Sequence, residues 1–324
     1  MNLRDEVRDV CSVGITAHEK PDGDAVGASL SLAMYLEKLF AEEGREVRID
    51  VFLEPYPQNL QDHIPGARFL CKKEDALTAP YDVFFAVDTG IGRTGEAEEL
   101  ARKAKKRVNI DHHASNPGEA EVCEIDKAAS STCELLYRLM EKPLIDHDIA
   151  QALYVGLITD TGCFKYSNTG PESLRMAADL LRFGFDFAKI VQETFFERTF
   201  LQQKILGKVL SESTLYLDGR LIVGTLTRAA LQELGARRED IEGVSSDLKL
   251  TAGTHCAVFL HEDAENSWRV SLRSDERVNV ASVAEHFDGG GHVRAAGCKV
   301  QGALKEVLPE FLRLIAEEMG KTGE

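Results

Sequence analysis

Four short segments of the chain combine Asp and His in ways that could hold a divalent metal or move a proton. They are His18-Glu-Lys-Pro-Asp22-Gly-Asp24, Asp88-Thr-Gly, Asp111-His112-His113 and Asp160-Thr-Gly. Carboxylates mixed with neutral imidazoles suit Mn²⁺ or another first-row divalent ion, and suit Mg²⁺ less well. His18, Asp22, Asp24, Asp88, His112, His113 and Asp160 are too many for one ion, since a zinc takes about four ligands. They fit two metals about 3.5–4 Å apart, bridged by a carboxylate and a water, an arrangement suited to phosphate-ester hydrolysis. Without cations, so many carboxylates in one place would repel one another. Each segment alone has a plainer reading: Asp24 precedes a helix and could cap it, and Asp-Gly is an ordinary turn. Capping does not explain four such segments at element ends.

The neighbouring elements must bring these segments together. GITAH (14–18) reads as a strand entering a turn at Pro21–Gly23. The helix after it carries Leu32, Leu36, Leu39 and Phe40 on one face and stops at Gly44. VRIDVFL (47–53), DVFFAVD (82–88) and RVNI (107–110) are further β-rich runs, with helices expected at 128–141 and 148–159. Strands separated by helices imply a parallel sheet covered on both faces. The carboxyl ends of such strands line the ligand crevice, so three of the four segments should converge there, with Asp160 brought in by its helix. This α/β domain is assigned to residues 1–185, and 186–210 read as helical throughout, a connector. Residues 211–324 read as a smaller mixed α+β domain. It contains the Asp-Gly hairpin TLYLDGRLIVGTL, strands at 255–261 and 268–273, and helices near 228–235, 278–287 and 304–319.

The second domain offers Gly289-Gly290-Gly291-His292 and, on a strand, Arg273-Ser274. The glycines would let backbone approach a phosphate or sugar, and the N–H groups of a following helix would attract an anion. Arg273 can fork onto phosphate and His292 can donate to it, while Lys249 and Arg294 read as solvated. The basic run Arg102–Arg107 reads as a solvated helix end favoured by the helix dipole. Phe195, Phe196 and Phe200 read as connector packing. His63, His147, His255, His261 and His286 have no ligand partner in their own segments. Seven scattered cysteines without a C-x-x-C favour reduced thiols over a disulfide framework or zinc cage.

Composition excludes other classes. Apolar residues at 44% and charged residues at 28% rule out disorder and fibres. No run of 18 apolar residues exists to span a membrane. The start, MNLRDEVRDV, has charges of both signs where a signal peptide needs an apolar core, so the expected location is cytoplasmic. A net charge of -16 disfavours long duplex DNA but leaves open a small phosphorylated ligand at a metal.

In their order and spacing, the four segments resemble the motifs of the DHH phosphoesterase superfamily, and GGGHVRAAG (289–297) resembles its associated substrate-binding domain. Within it the chain is most similar to the nano-RNase and 3′-phosphoadenosine-5′-phosphate (pAp) phosphatase branch. Asp288 stands where relatives often carry a further glycine. The resemblance implies a cofactor of two Mn²⁺, with Mg²⁺ or Co²⁺ as substitutes. His18 and Asp22 would hold one ion, Asp24, His112 and Asp160 the other, and Asp88 would bridge them. His113 would stand beside the scissile phosphate, and Arg273, Ser274, Gly289, Gly290, Gly291 and His292 would clamp the far nucleotide. Asp111, in the reading of the residues themselves, orients His112. The implied activity is hydrolysis of short oligoribonucleotides to mononucleotides and of pAp to AMP by a hydroxide activated between two metals. The alternatives are a cyclic- or linear-dinucleotide phosphodiesterase, a pyrophosphatase or a non-catalytic nucleotide-binding module. The expected partners are short single-stranded RNA or a nucleotide, with a homodimer as one option, and neither long duplex DNA nor a membrane.

Overall fold

The computed structural model describes residues 1–321 and divides into two compact units, Met1–Glu197 and a second that begins at Arg198. The first contains α1 (Leu3–Glu6), β1 (Ser12–Thr16), α2 (Gly23–Glu42), β2 (Arg48–Phe52), α3 (Gln58–His63), β3 (Val83–Val87), α4 (Glu98–Lys103) and β4 (Lys106–Asp111). It continues with β5 (Val122–Ile125), α5 (Thr132–Leu139), α6 (His147–Asp160), α7 (Pro171–Leu180) and α8 (Phe187–Val191). The sheet is parallel throughout, in the order β2-β1-β3-β4-β5. Alternate strand residues face opposite ways, which is why β3 is an unbroken apolar run. Val83, Phe85 and Val87 join the core built on α2, α5 and α6, whereas Phe84 and Ala86 pack with Tyr81, Ile91, Ala97 and Ala101 on the other face. The edge strand β5 escaped the sequence reading because none of its four residues is fully buried, so it lacks the apolar run of the inner strands.

The second unit contains α9 (Phe200–Glu212), β6 (Thr214–Tyr216), β7 (Leu221–Leu226), α10 (Arg228–Leu234), α11 (Val244–Lys249), β8 (Cys256–Ala264) and β9 (Ser267–Ser274). α12 (Val280–Glu285), β10 (Gly290–His292), β11 (Ala295–Gln301) and α13 (Leu304–Lys321) complete it. Its mixed sheet runs β10-β11-β9-β8-β7-β6, with only β7 and β8 parallel. α12 and α13 cover one face, and α9, α10 and α11 cover the other.

The stretch 186–210 is not one helix. α8 passes into a π-helical turn at Gln192–Phe196 and extended backbone at Glu197, and α9 starts afresh at the Thr199 cap. Ile190 belongs to the first unit's core, while Ile205 and Val209 belong to the second's. The break has a sequence signature, the reciprocal cap of Thr199 with Gln202. Phe196 and Phe200 are 60% and 79% exposed, so of the three aromatics only Phe195 packs on a core.

Candidate metal centre

Neighbouring parallel strands β1, β3 and β4 end on the same side, and each leads into one of the Asp/His segments. Asp88 leaves β3 with φ of 58°, a left-handed conformation rare outside glycine that Asp tolerates better than most. Asp22, rather than Asp24, is the cap of α2: its Oδ1 accepts from the N–H of Asp24 and Ala25 at 3.0 and 3.1 Å. Asp24 sits in the first turn, wholly buried. The last residue of α6, Asp160, joins them.

His18 Nδ1 lies 2.7 Å from the Glu19 carbonyl, a donor bond that turns Nε2 toward Asp88 Oδ2 at 3.4 Å and Asp22 Oδ1 at 3.8 Å. His112 Nε2 is 3.2 Å from Asp160 Oδ2 and 3.5 Å from Asp88 Oδ1, and it is buried without a hydrogen-bond partner. An imidazole nitrogen aimed at carboxylates but bonded to none fits metal ligation. Ligand atoms lie within 4.8 Å of one another in three sets: His18, Asp22 and Asp88; Asp24, His112 and Asp160; and Asp88, His112 and His113. Asp88 is therefore common to two sets, and His112 to two.

The charges tell the same story. Burial, then Asp88 and Asp160, push Asp24 well above the usual carboxylate range. Burial, then Asp88, raise Asp160 to about 7. Asp22 moves the other way, because its bonds to His18 and to backbone N–H groups outweigh burial. His18 rises to about 11, held first by Asp22 and then by Asp88. Such a crowd of carboxylates is relieved by a divalent cation, so the donor set fits the metals it was expected to hold.

Asp111 orients His113, not His112. Its Oδ1 lies 2.8 Å from His113 Nδ1 and accepts from the His113 backbone N–H at 3.0 Å. That bond raises the His113 pKa, and despite burial Asp111 is kept low by His113 and Asn116. The sequence reading missed the groups behind it. Asn116 Nδ2 donates to Asp111 Oδ2 at 2.5 Å and to Asn109 Oδ1 at 2.8 Å, and Asn109 Nδ2 donates to the Ala86 and Thr89 carbonyls. The one available signal was Asn109 itself, a polar residue inside a buried apolar strand. Thr132 was missed as well. Its hydroxyl donates to Asp88 Oδ1 at 3.0 Å, and its N–H to Asp24 Oδ2 at 2.6 Å, while the Cys133 N–H reaches Asp24 Oδ1 at 2.9 Å.

In the second unit the register sets Arg273 on β9 opposite Ala295 on β11, and Ala295 opposite His292 on β10. Arg273 and His292 thus share one row across three strands. Arg273 Nη1 donates to the Leu272 carbonyl at 2.9 Å, and the Ser274 hydroxyl donates to the Val278 carbonyl at 2.7 Å. The glycines lead directly into β10 and β11 and not into a helix, so the expected anion-binding helix start is replaced by a strand pair. A Cβ at Gly289 would meet the Gly297 carbonyl oxygen at 2.4 Å, and one at Gly291 the Ala295 oxygen at 2.5 Å. Those two glycines answer to strand packing, and only Gly290 faces open space.

The basic run at 102–107 is neutralised: Arg102 pairs with Glu98, Lys103 with Glu99, Lys105 with Asp82, Lys106 with Glu6 and Arg107 with Glu121. His63 lies 2.9 Å from Glu193, and His255 lies 3.0 Å from Asp275. All seven cysteines are free.

Family models match twice: the DHH family N-terminal domain over residues 12–157 and the DHHA1 domain over 218–321. This is a DHH–DHHA1 protein. The bifunctional oligoribonuclease and PAP phosphatase NrnA of Thermus thermophilus is 29% identical over 95% of this chain and 90% of its own. NrnA of Bacillus subtilis is 23% identical over 87% of each. An exopolyphosphatase-related protein from Bacteroides fragilis superposes on this DHH–DHHA1 chain with a TM-score of 0.85 at 25% identity, covering 99% of this chain and 96% of that one. Among the described residues, no helix is long and apolar enough to cross a membrane.

Proposed function

We propose that this DHH–DHHA1 protein is a metal-dependent phosphoesterase that releases mononucleotides from short oligoribonucleotides and converts pAp to AMP. The observation that carries the reading is the pair of ligand sets, His18/Asp22 and Asp24/His112/Asp160, with Asp88 within reach of both imidazoles. The named activity of the relatives supports the substrate class. Divalent ions held by these residues, Mn²⁺ in our reading, would polarise the phosphoryl oxygens and supply an activated water.

The chain's own groups do the rest. Asp111 holds His113 by Nδ1 and favours its protonated form, so the ring's other nitrogen donates to a phosphoryl oxygen or to the departing hydroxyl. The His113 side chain is 46% exposed, which leaves it open to a substrate. Arg273, with Ser274, the Gly289–Gly291 backbone and His292, holds the far end of the nucleotide. Arg273→Ala should chiefly raise KM, by roughly 10-fold or more, with kcat nearly kept. Equal loss of kcat at constant KM would contradict the clamp.

The test is a product assay with Mn²⁺ on pAp, a pentameric RNA, a cyclic dinucleotide and pyrophosphate, each with an EDTA control. AMP from pAp and mononucleotides from RNA, both lost with EDTA, are expected. Hydrolysis of the cyclic dinucleotide or pyrophosphate alone would overturn the substrate assignment.

A further inference from the structure

A cavity of about 780 Å³ opens beside the metal centre, entirely within the first unit, in the size range of small-molecule sites. Its walls come from residues just past β1 (Ala17, His18), past β2 (Glu54, Tyr56) and in the segment after β3 (Thr94, Glu96). β1 pairs with β2 on one side and with β3 on the other, so the chain winds outward from it in both directions. In open parallel sheets the crevice at that reversal is where ligands bind. His18 belongs both to this cavity and to the ligand set with Asp22 and Asp88, so the cavity reaches the metal centre at that side chain.

The wall chemistry selects the occupant. Leu53, Pro55 and Tyr56 supply apolar and aromatic surface. Apart from His18, which is turned to the metal ligands, the ionic groups are Lys72 and Lys73 against Glu54, Glu74 and Glu96, with no arginine among them. Three carboxylates to two ammoniums do not suit a second phosphate, but they suit an uncharged, hydroxyl-rich group. Glu54 stands two residues beyond β2 and accepts the Lys20 N–H at 3.1 Å through Oε2. A carboxylate offers about four lone-pair sites, so it keeps capacity for a ligand hydroxyl.

We propose that this cavity receives the nucleoside of the nucleotide whose phosphate lies at the metal centre, with Glu54 accepting from the ribose 2′-hydroxyl. This rests on the phosphoesterase reading for what lies at the metals, and it adds a ribose-selective pocket in the DHH domain. A site built around a hydroxyl disfavours the analogue lacking it, because the carboxylate is then desolvated without a partner.

Cys71 lines the cavity, whereas Cys11 and Cys123 are exposed elsewhere on the chain and serve as internal references. Burial holds the Cys71 thiol above its ordinary pKa, so alkylation by N-ethylmaleimide is run at mildly alkaline pH on the Mn²⁺-loaded full chain. Modification of each cysteine is read by peptide mass with AMP or dAMP present. AMP should shield Cys71 without changing Cys11 or Cys123, and dAMP should need roughly 10-fold more for equal shielding. In Glu54→Gln, which keeps an acceptor for Lys20, the two nucleotides should come within about 2-fold. Unchanged Cys71 labelling at saturating AMP, or equal shielding by AMP and dAMP in the unaltered protein, would overturn the pocket. Shielding without turnover of pAp or RNA would instead overturn the function and leave the pocket standing.

Discussion

At the residue scale, four of the metal-ligand candidates, His18, Asp22, Asp24 and Asp88, are held by a second group. Thr132 has this role twice, through its hydroxyl on Asp88 and its N–H on Asp24. Groups that hold ligands typically contribute 10–100-fold to metal affinity. Thr132→Val should therefore weaken Mn²⁺ binding by roughly that factor in titration calorimetry, and Thr132→Ser should restore most of it. Unaltered Mn²⁺ affinity in the valine variant would reduce Thr132 to a helix-start residue. His261 gives a test away from the metals. Its ring stacks on Phe259 with Nδ1 buried and unbonded, and burial lowers its pKa to about 4. The unfolded chain takes up the proton near pH 6.5 and the folded chain only near 4, so stability falls as pH drops across that window. The loss should approach about 3 kcal/mol near pH 4 in denaturant titrations, and His261→Phe should flatten that slope.

At the element scale, the decisive contacts are starts and ends. The first N–H groups of α5 meet Asp24, and the last residue of α6 supplies Asp160. In the second unit the β10–β11 pair holds His292 in the row of Arg273. Gly291 permits that pairing with φ of 145°, where a side chain would strike the Ala295 carbonyl. Gly291→Ala should cost the second unit about 1–3 kcal/mol and raise KM more than it lowers kcat. A variant as stable as the parent would show that the strand pair yields to a side chain.

At the scale of the whole molecule there are two units, each with apolar clusters on both faces of its sheet, and the metal-ligand candidates belong to the first. Ligand that binds only the folded form stabilises it by about 2.7 kcal/mol at 100 times Kd. Calorimetry should then show Mn²⁺ raising the melting of the first unit, EDTA reversing it, and the second unit unmoved. Mn²⁺ acting on the second unit alone would contradict the placement of the metals.

Much of this was legible in the residues. β1, β3 and β4 are short apolar runs ended by Asp or His, and the parallel arrangement follows from the helices between them. Convergence of His18, Asp88 and His112 could be argued because parallel strands share a carboxyl edge. Spacing along the chain could not say which carboxylate meets which imidazole. Asp111 was assigned to its neighbour His112, yet side chains alternate along extended backbone, and its oxygen meets His113 instead. Thr132 was invisible because its two partners lie 44 and 108 residues away. The glycines at 289 and 291 read as room for a ligand, and only the sheet showed that Ala295 and Gly297 also leave no space for a side chain there. Local periodicity and residue chemistry thus determined the elements and the kind of site. Only the tertiary structure decided the pairings, because a hydrogen bond or metal contact depends on ångström-scale distances that sequence separation does not encode.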